Sequence, residues 1–431
     1  MGAGLRFLNN LASSSTIDKL KLRKSTEKVV YHGSKNGFKA VGAVGRTFAS
    51  KSKQDKPARQ QKIGGNGTFD LTPTDEQQML VEAFGEFATN ELLPIATEAS
   101  NNCVTPPEVL KHSTELGVTM IGVPEELGGA VEQRSAVTSV LISEALAKGD
   151  LGLAVAVLAP AAVSTAIGLW GDADQQSTYL PEFVGEDVPA AALAVIEPKP
   201  LFDPFKLDTK ATKNADGGYT LNGVKSLVPR AAEAELFVIA AELDGTPAMF
   251  IVESKTGGIG VTPEPAMGIR PAATATLSLE NVSLEAGSLL GGGDPEVYAE
   301  MVRLSRIAWG AVTAGTGRAA LEYVIPYVNE RKAFGEPISH RQAVAFTVSN
   351  IAIELDGIRL ATLRAAALAD QGKDFARESA IVRQLTHKYG MEIGSNAVQM
   401  LGGHGYTQEY PVERWYRDLR AAGLMEGVLL V

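Results

Sequence analysis

Cysteine is almost absent here: Cys103 stands alone among 431 residues, so no disulfide can close within the chain and no cysteine-built zinc site is available. Histidine is scarce as well. His32, His112, His340, His387 and His404 show no HExxH or HxH spacing, and no metal site is expected. Neither GxGxxG nor GxxxxGK occurs, which argues against a Rossmann-type or P-loop nucleotide site. The N-terminus has no apolar core of roughly 7–15 residues to serve as a secretory signal. Its first residues, Met1-Gly2-Ala3-Gly4-Leu5-Arg6, lack the Ser or Thr of a myristoylation signal. A low aromatic share (6%) beside 45% apolar residues points to a core built mostly from aliphatic side chains and alanine.

The charge is unevenly spread. The net charge is −10, yet residues 1–62 hold 14 Lys and Arg against 3 Asp and Glu, a net of +11, leaving −21 for the rest. An acidic body argues against nucleic acid as a partner. The basic segment ends in Lys51-Ser52-Lys53-Gln54-Asp55-Lys56-Pro57, the composition of a linker. Residues 1–66 are therefore set apart as a basic, partly ordered extension. Contact with an anionic lipid surface, docking to a partner, and a plain solubilising arm all remain open for it.

The remainder divides by pattern into 67–189, 190–293 and 294–431. The first part reads as helical. Thr74-Asp75-Glu76-Gln77 is a capping signature ahead of Met79, Leu80, Ala83, Phe84 and Phe87. Leu151 to Trp170 is long and apolar enough to cross a membrane. Pro160, the many small residues and the Gly171-Asp172-Ala173-Asp174 that follows favour a helix buried in a helical domain. The second part reads as short strands near Ala190–Ile196, Gly218–Leu221, Leu236–Ala241, Ala248–Val252 and Thr276–Leu279, the pattern of a β-sandwich or barrel. Helix returns at 297–330 and 339–370.

The most informative stretch is the last. Ile381, Leu385, Tyr389, Ile393, Ala397 and Leu401 recur every fourth residue, as on a packed helix, and Gly402-Gly403 would end it. Pro411 suits the start of another helix, with Glu413 and Arg417 paired at i,i+4, and Gly423 closes it. Glu426 then falls on an irregular segment beside Met425 and Val428-Leu429-Leu430-Val431. Desolvation in such apolar company would suit a general base. Taken alone, a Glu in such a place is more often a solvated surface charge.

The run Gln399-Met400-Leu401-Gly402-Gly403-His404-Gly405-Tyr406-Thr407, with Pro411-Val412-Glu413-Arg414-Trp415-Tyr416-Arg417-Asp418 and the later Glu426-Gly427, resembles the C-terminal signature of the acyl-CoA dehydrogenase family. Met425 and Val428 depart from the Tyr and Thr usual there. The resemblance covers about residues 70–431 and implies an α+β fold: an N-terminal helical domain, a middle β-barrel or sandwich, and a C-terminal helical bundle. It implies Glu426 as the catalytic base. It implies FAD as cofactor, with Arg331, Phe334, Gln342, Gln399, Gly402 and Gly403 binding it, Arg331-Lys332-Ala333-Phe334-Gly335 matching RxxFG. Arg306 is implied in substrate binding, whereas Arg303 reverses the charge of an expected Asp.

The flavin-ring motifs are altered. Ile196-Glu197-Pro198-Lys199-Pro200-Leu201-Phe202-Asp203 and Asn222-Gly223-Val224-Lys225-Ser226-Leu227-Val228-Pro229-Arg230 lack hydroxyls, a Trp and a Thr that the family carries. The expected activity is α,β-dehydrogenation of an acyl-CoA to its trans-2-enoyl product, of the fatty acid β-oxidation type. Electrons would pass to an acceptor of the electron-transfer flavoprotein type. A homodimer or homotetramer is implied, with a heteromer as the variant. The expected location is cytoplasmic, with peripheral membrane contact through the arm, or mitochondrial in a eukaryote. Two other readings stay open: a flavin-poor subunit serving a heteromeric complex, which the altered loops favour, and a flavin oxygenase on the same fold.

Overall fold

The computed structural model describes residues 71–129, 134–185 and 187–431. The basic extension 1–66 lies outside the described residues. Residues 80–431 form one compact unit, and the described residues 71–79 belong to another. In the latter, Thr74 and Gln77 make the anticipated capping box: Gln77 N–H donates to Thr74 Oγ1 at 3.2 Å and Thr74 N–H to Gln77 Oε1 at 3.0 Å. They start α1 (Asp75–Phe87).

Within 80–431, helices come first: α2 (Leu93–Asn102), α3 (Pro107–Glu115), α4 (Ala136–Gly149), α5 (Leu151–Trp170) and α6 (Ala173–Tyr179). Asp150 caps α5 by accepting the N–H of Leu153 at 2.9 Å. Among the described residues α5 is the one helix long and apolar enough to cross a membrane, and it is buried inside the protein from Leu151 to Ile167. The buried-helix expectation for it holds.

Eight strands follow in one mixed sheet: β1 (Ala191–Ala194), β2 (Lys210–Lys213), β3 (Tyr219–Val228), β4 (Leu236–Leu243), β5 (Thr246–Glu253), β6 (Ile259–Pro263), β7 (Ala275–Leu284) and β8 (Leu289–Leu290). The order is β6-β7-β3-β2-β4-β5-β8, with β1 parallel to β4. Leu221, Phe237, Ile239, Phe250, Leu277 and Val282 fill its core. The five anticipated strands are present. β8 escaped notice because it is only two residues long, and β2 and β6 because they are short and mostly solvated, so the alternation of buried and exposed residues is weak. β3 carries two register shifts against β7, one at Gly223 and one between Lys225 and Val228, where Leu227 turns to φ 54°.

The C-terminal part holds α7 (Pro295–Glu330), α8 (Gln342–Asp370), α9 (Ala376–Leu385), α10 (Met391–Leu401) and α11 (Val412–Ala422). The fourfold row is one continuous helical path in which a π turn, Thr386–Gly390, joins α9 to α10. Its first member, Ile381, is exposed; packing begins beyond it, and Ile393, Ala397 and Leu401 are buried. Gly402 ends the path with φ 59° and ψ −130°, a positive φ as expected but outside the left-handed helical region. Glu413 and Arg417 pair at 2.7 Å. Arg414 and Asp418, on the buried face of α11, hold that helix in place: Arg414 Nε lies 3.0 Å from Asp150 Oδ2, and Asp418 Oδ1 accepts the N–H of Ile269 at 2.6 Å. Burial and the nearby charge of Asp150 push Asp418 up to about 7.

Candidate active site

Glu426 sits on the non-helical turn after α11 and is 4% exposed. The turn is pinned from several sides. Ser305 Oγ donates to the Gly427 carbonyl at 2.7 Å and Trp309 Nε1 to the same oxygen at 2.9 Å, both from α7. Gly427 has φ 69°, and a Cβ there would meet the Val195 side chain at 2.4 Å, so glycine is required. Beyond it Val428, Leu429, Leu430 and Val431 are buried.

The carboxyl group is not in the purely apolar setting its neighbours suggest. Arg306 grips it with a fork, Nε to Oε2 at 3.1 Å and Nη2 to Oε1 at 3.0 Å. Arg383, from α9, donates from Nε to Oε1 at 2.8 Å and from Nη1 to the Gly423 carbonyl at 2.6 Å. Met425 and Leu429 are buried, but the α7 and α9 residues that meet the turn lie far away in sequence. Sequence reasoning placed Arg306 against substrate; in this structure its partner is Glu426. Arg303 pairs instead with Glu296. Arg383 was missed altogether. The one signal for it is its fourfold spacing to His387, whose Nδ1 also faces the Gly423 carbonyl at 3.1 Å.

Beside this turn the two altered loops are stitched together. Lys225 Nζ, wholly buried, lies 2.9 Å from Glu197 Oε1 and donates to the Val195 carbonyl at 3.2 Å. Glu197 also accepts the backbone N–H groups of Asp208 and Thr209 at 2.7 and 2.8 Å. Burial alone would raise Glu197, but Lys225 and these N–H groups outweigh it and hold the carboxyl at about 2. Burial lowers Lys225 to about 8 even against the pull of Glu197. Donors that could face a ring are already engaged: Ser226 Oγ and Leu227 N–H both donate to Glu264, at 2.6 and 2.8 Å. Tyr298, buried on α7, donates its hydroxyl to the Pro204 carbonyl at 2.7 Å. Its pKa stands well above the ordinary tyrosine value because it is buried and near the charges of Glu426, Glu197 and Asp203.

A second feature lies at the other end of the helical part. Arg331, Phe334, Gln399, Gly402 and Gly403, with Tyr327 and Arg341, line a cavity of about 950 Å³. Gln342, the sixth residue of the expected set, begins α8 but is not on the lining. Phe334 is 96% exposed with φ 57°, and the Arg341 guanidinium lies 5.8 Å from its ring centre. A Cβ at Gly402 or Gly403 would meet nothing within 4 Å, so bare backbone faces open space. Two guanidiniums and free backbone beside a cavity suit a pyrophosphate. Among the described residues no cluster of metal-ligating side chains occurs.

Helices flanking a mixed sheet, with a buried carboxylate on a pinned C-terminal turn and a cationic cavity apart from it, define a helical–β–helical enzyme fold. Comparisons agree between residues 74 and 429. The profile "Acyl-CoA dehydrogenase, N-terminal domain" matches residues 74–187, the "middle domain" 192–282 and the "C-terminal domain" 296–429. The short/branched chain specific acyl-CoA dehydrogenase, mitochondrial, of Bos taurus is 31% identical over 365 residues, 83% of each chain. The short-chain specific acyl-CoA dehydrogenase of Megasphaera elsdenii is 30% identical over 369 residues, 83% of this chain and 96% of that one. The solved butyryl-CoA dehydrogenase of Megasphaera elsdenii superposes with a TM-score of 0.76 at 29% identity, over 83% of this chain and 96% of that one. PigA, solved with FAD and proline, shares the fold (TM-score 0.75, 24% identity, 82% and 94% coverage). The chain belongs to the acyl-CoA dehydrogenase family, and with it to the oxidoreductases.

Proposed function

We propose that this protein is an FAD-dependent acyl-CoA dehydrogenase that takes short acyl-CoA thioesters to trans-2-enoyl-CoA, with Glu426 as the base. The observation that carries the reading is the turn at Glu426: a carboxylate on irregular backbone, fixed by Ser305, Trp309 and Arg383, with one oxygen not fully engaged. Short substrates are favoured by the relatives' names, which specify short and branched chains.

The chemistry of this chain's own residues follows. Glu426 accepts the proton on the substrate's α-carbon, which its burial keeps from bulk water. Arg306 and Arg383 hold the carboxyl in place while it does so. Arg331 and the open backbone at Gly402 and Gly403 would hold the FAD pyrophosphate, with Phe334 and Gln399 beside it. When bound, the flavin supplies the acceptor for the β-hydride. The ring side offers little, since Ser226 and Leu227 are committed to Glu264 and Pro229 has no N–H. Electrons would leave to a carrier of the electron-transfer flavoprotein type. An exposed apolar stripe on α8, Phe346, Ile353 and Leu360 at sevenfold spacing, supports assembly with further copies of the chain.

Titration of the purified protein with FAD tests this reading. Saturable uptake is expected, and Arg331→Ala should weaken it about tenfold, the loss of roughly one charge-assisted contact. Light scattering on the same sample should return a multiple of the chain mass. A colourless protein that takes up no FAD would favour the flavin-poor partner subunit, for which the engaged donors at 226–227 already speak.

A further inference from the structure

We propose that Arg383 is a positioning residue for Glu426, which loads one oxygen of the carboxyl group and leaves the other to receive the substrate's proton. The inference rests on reading Glu426 as the base. Three N–H groups reach this carboxyl. Oε1 accepts two, from Arg306 Nη2 at 3.0 Å and Arg383 Nε at 2.8 Å; Oε2 accepts one, from Arg306 Nε at 3.1 Å. A carboxylate oxygen has two lone pairs, so Oε1 is filled and Oε2 keeps one. With the Arg306 fork alone the two oxygens would carry equal loads. Arg383 breaks that symmetry.

Arg383 is also tied to the backbone of the turn it serves. Its Nη1 donates to the Gly423 carbonyl at 2.6 Å, three residues before Glu426. The charged and titratable groups facing the carboxyl are Arg306 and Tyr298 from α7 and Arg383 from α9. His387, from the π turn, faces the Gly423 carbonyl, and Glu197 and Asp203 act on Tyr298 from the loop side. Two guanidiniums thus share one carboxylate, and the second is the one that lies off the fork. In the step itself the α-C–H bond breaks and an O–H bond forms at Oε2. The electron pair stays on the α-carbon, delocalised into the thioester carbonyl.

The test uses full-length protein supplied with FAD and 3,3-dimethylbutyryl-CoA, which has α-hydrogens but no β-hydrogen to lose. In deuterium oxide its α-hydrogens exchange at a rate that mass spectrometry reads without turnover. Removing one of two neighbouring cations should move the acidic limb of the exchange–pH profile upward by about 1 unit or more in Arg383→Gln. Arg383→Lys keeps the charge and should move it by less than half as much. Thermal unfolding is followed on each variant. A folded Arg383→Gln protein with the parental limb would overturn the proposal. If the Gln variant does not fold, Arg383→Met, which also removes the charge, takes its place, and a parental limb in that variant would overturn the proposal equally. Glu426→Gln serves as the separate control. Parental exchange in that variant sinks the reading of Glu426 as base, whereas lost exchange there with an unmoved limb in Arg383→Gln sinks only the role of Arg383.

Discussion

Two buried glutamates, Glu197 and Glu426, stand at similar depth, 3% and 4% exposed, and are held in different ways. Glu197 is surrounded by two backbone N–H groups, the buried ammonium of Lys225 and, at 3.6 Å, that of Lys199. Its acceptor capacity is spent on holding two loops together. Glu426 is held by two guanidiniums whose side chains keep about a fifth of their surface exposed, 19% and 20%, and one of its oxygens has a lone pair to spare. On the proposed reading of Glu426 as the base, burial alone does not mark a reagent. What marks it is incomplete satisfaction on an irregular, well-braced turn, next to groups that are still reachable.

Three substitutions would sharpen or break that contrast. The largest effect is expected at Glu426→Gln, which keeps the shape and removes the proton acceptor. Turnover should fall about 10²–10⁴-fold, some 3–5 kcal/mol of barrier, with FAD uptake nearly unchanged. Parental turnover by steady-state assay would make Glu426 a brace like Glu197. Next comes Lys225→Met, which strands the Glu197 charge. Denaturant unfolding should show a loss of about 3–5 kcal/mol, and a loss under about 1 would mean that the pair does not brace the loops.

The smallest effect concerns a third carboxyl, Glu354 on α8. Burial, reinforced by the facing Glu392, raises it to about 7. A raised carboxyl costs the fold nothing below its ordinary value of about 4.5. The penalty grows as pH climbs towards 7 and is complete above it. Glu354→Gln should therefore be more stable than the parent at pH 8 by about 1 kcal/mol, after discounting for solvent screening, and equal to it near pH 4. Parallel stability curves across that range would remove Glu354 from consideration.

Much of this was legible in the chain. The capping box at Thr74, the buried α5, the Glu413–Arg417 pair and the irregular turn that carries Glu426 are local: each depends on residues within a few positions, and periodicity or cap chemistry reveals them. The strands β2 and β6 are local too, but short and solvated, so no alternation announces them. The brace between Glu197 and Lys225 joins residues 28 apart, and the grip of Arg383 on Glu426 spans 43. No spacing rule links such pairs, because the packing of whole helices and loops brings them together. Arg383 in particular resembles any arginine on an amphipathic helix until α9 is laid against the final turn. The same limit applies to the ring loops. Their altered residues were visible, whereas the capture of Ser226 and Leu227 by Glu264 was not.

The most direct test of the account is anaerobic mixing of the FAD-loaded protein with a short-chain acyl-CoA, following the flavin absorption band and the product together. Bleaching of the flavin with an equal amount of trans-2-enoyl-CoA formed, both slowed at least a hundredfold in Glu426→Gln, is the predicted result. Flavin that stays oxidised in the parent, or that bleaches as fast in Glu426→Gln, would contradict it.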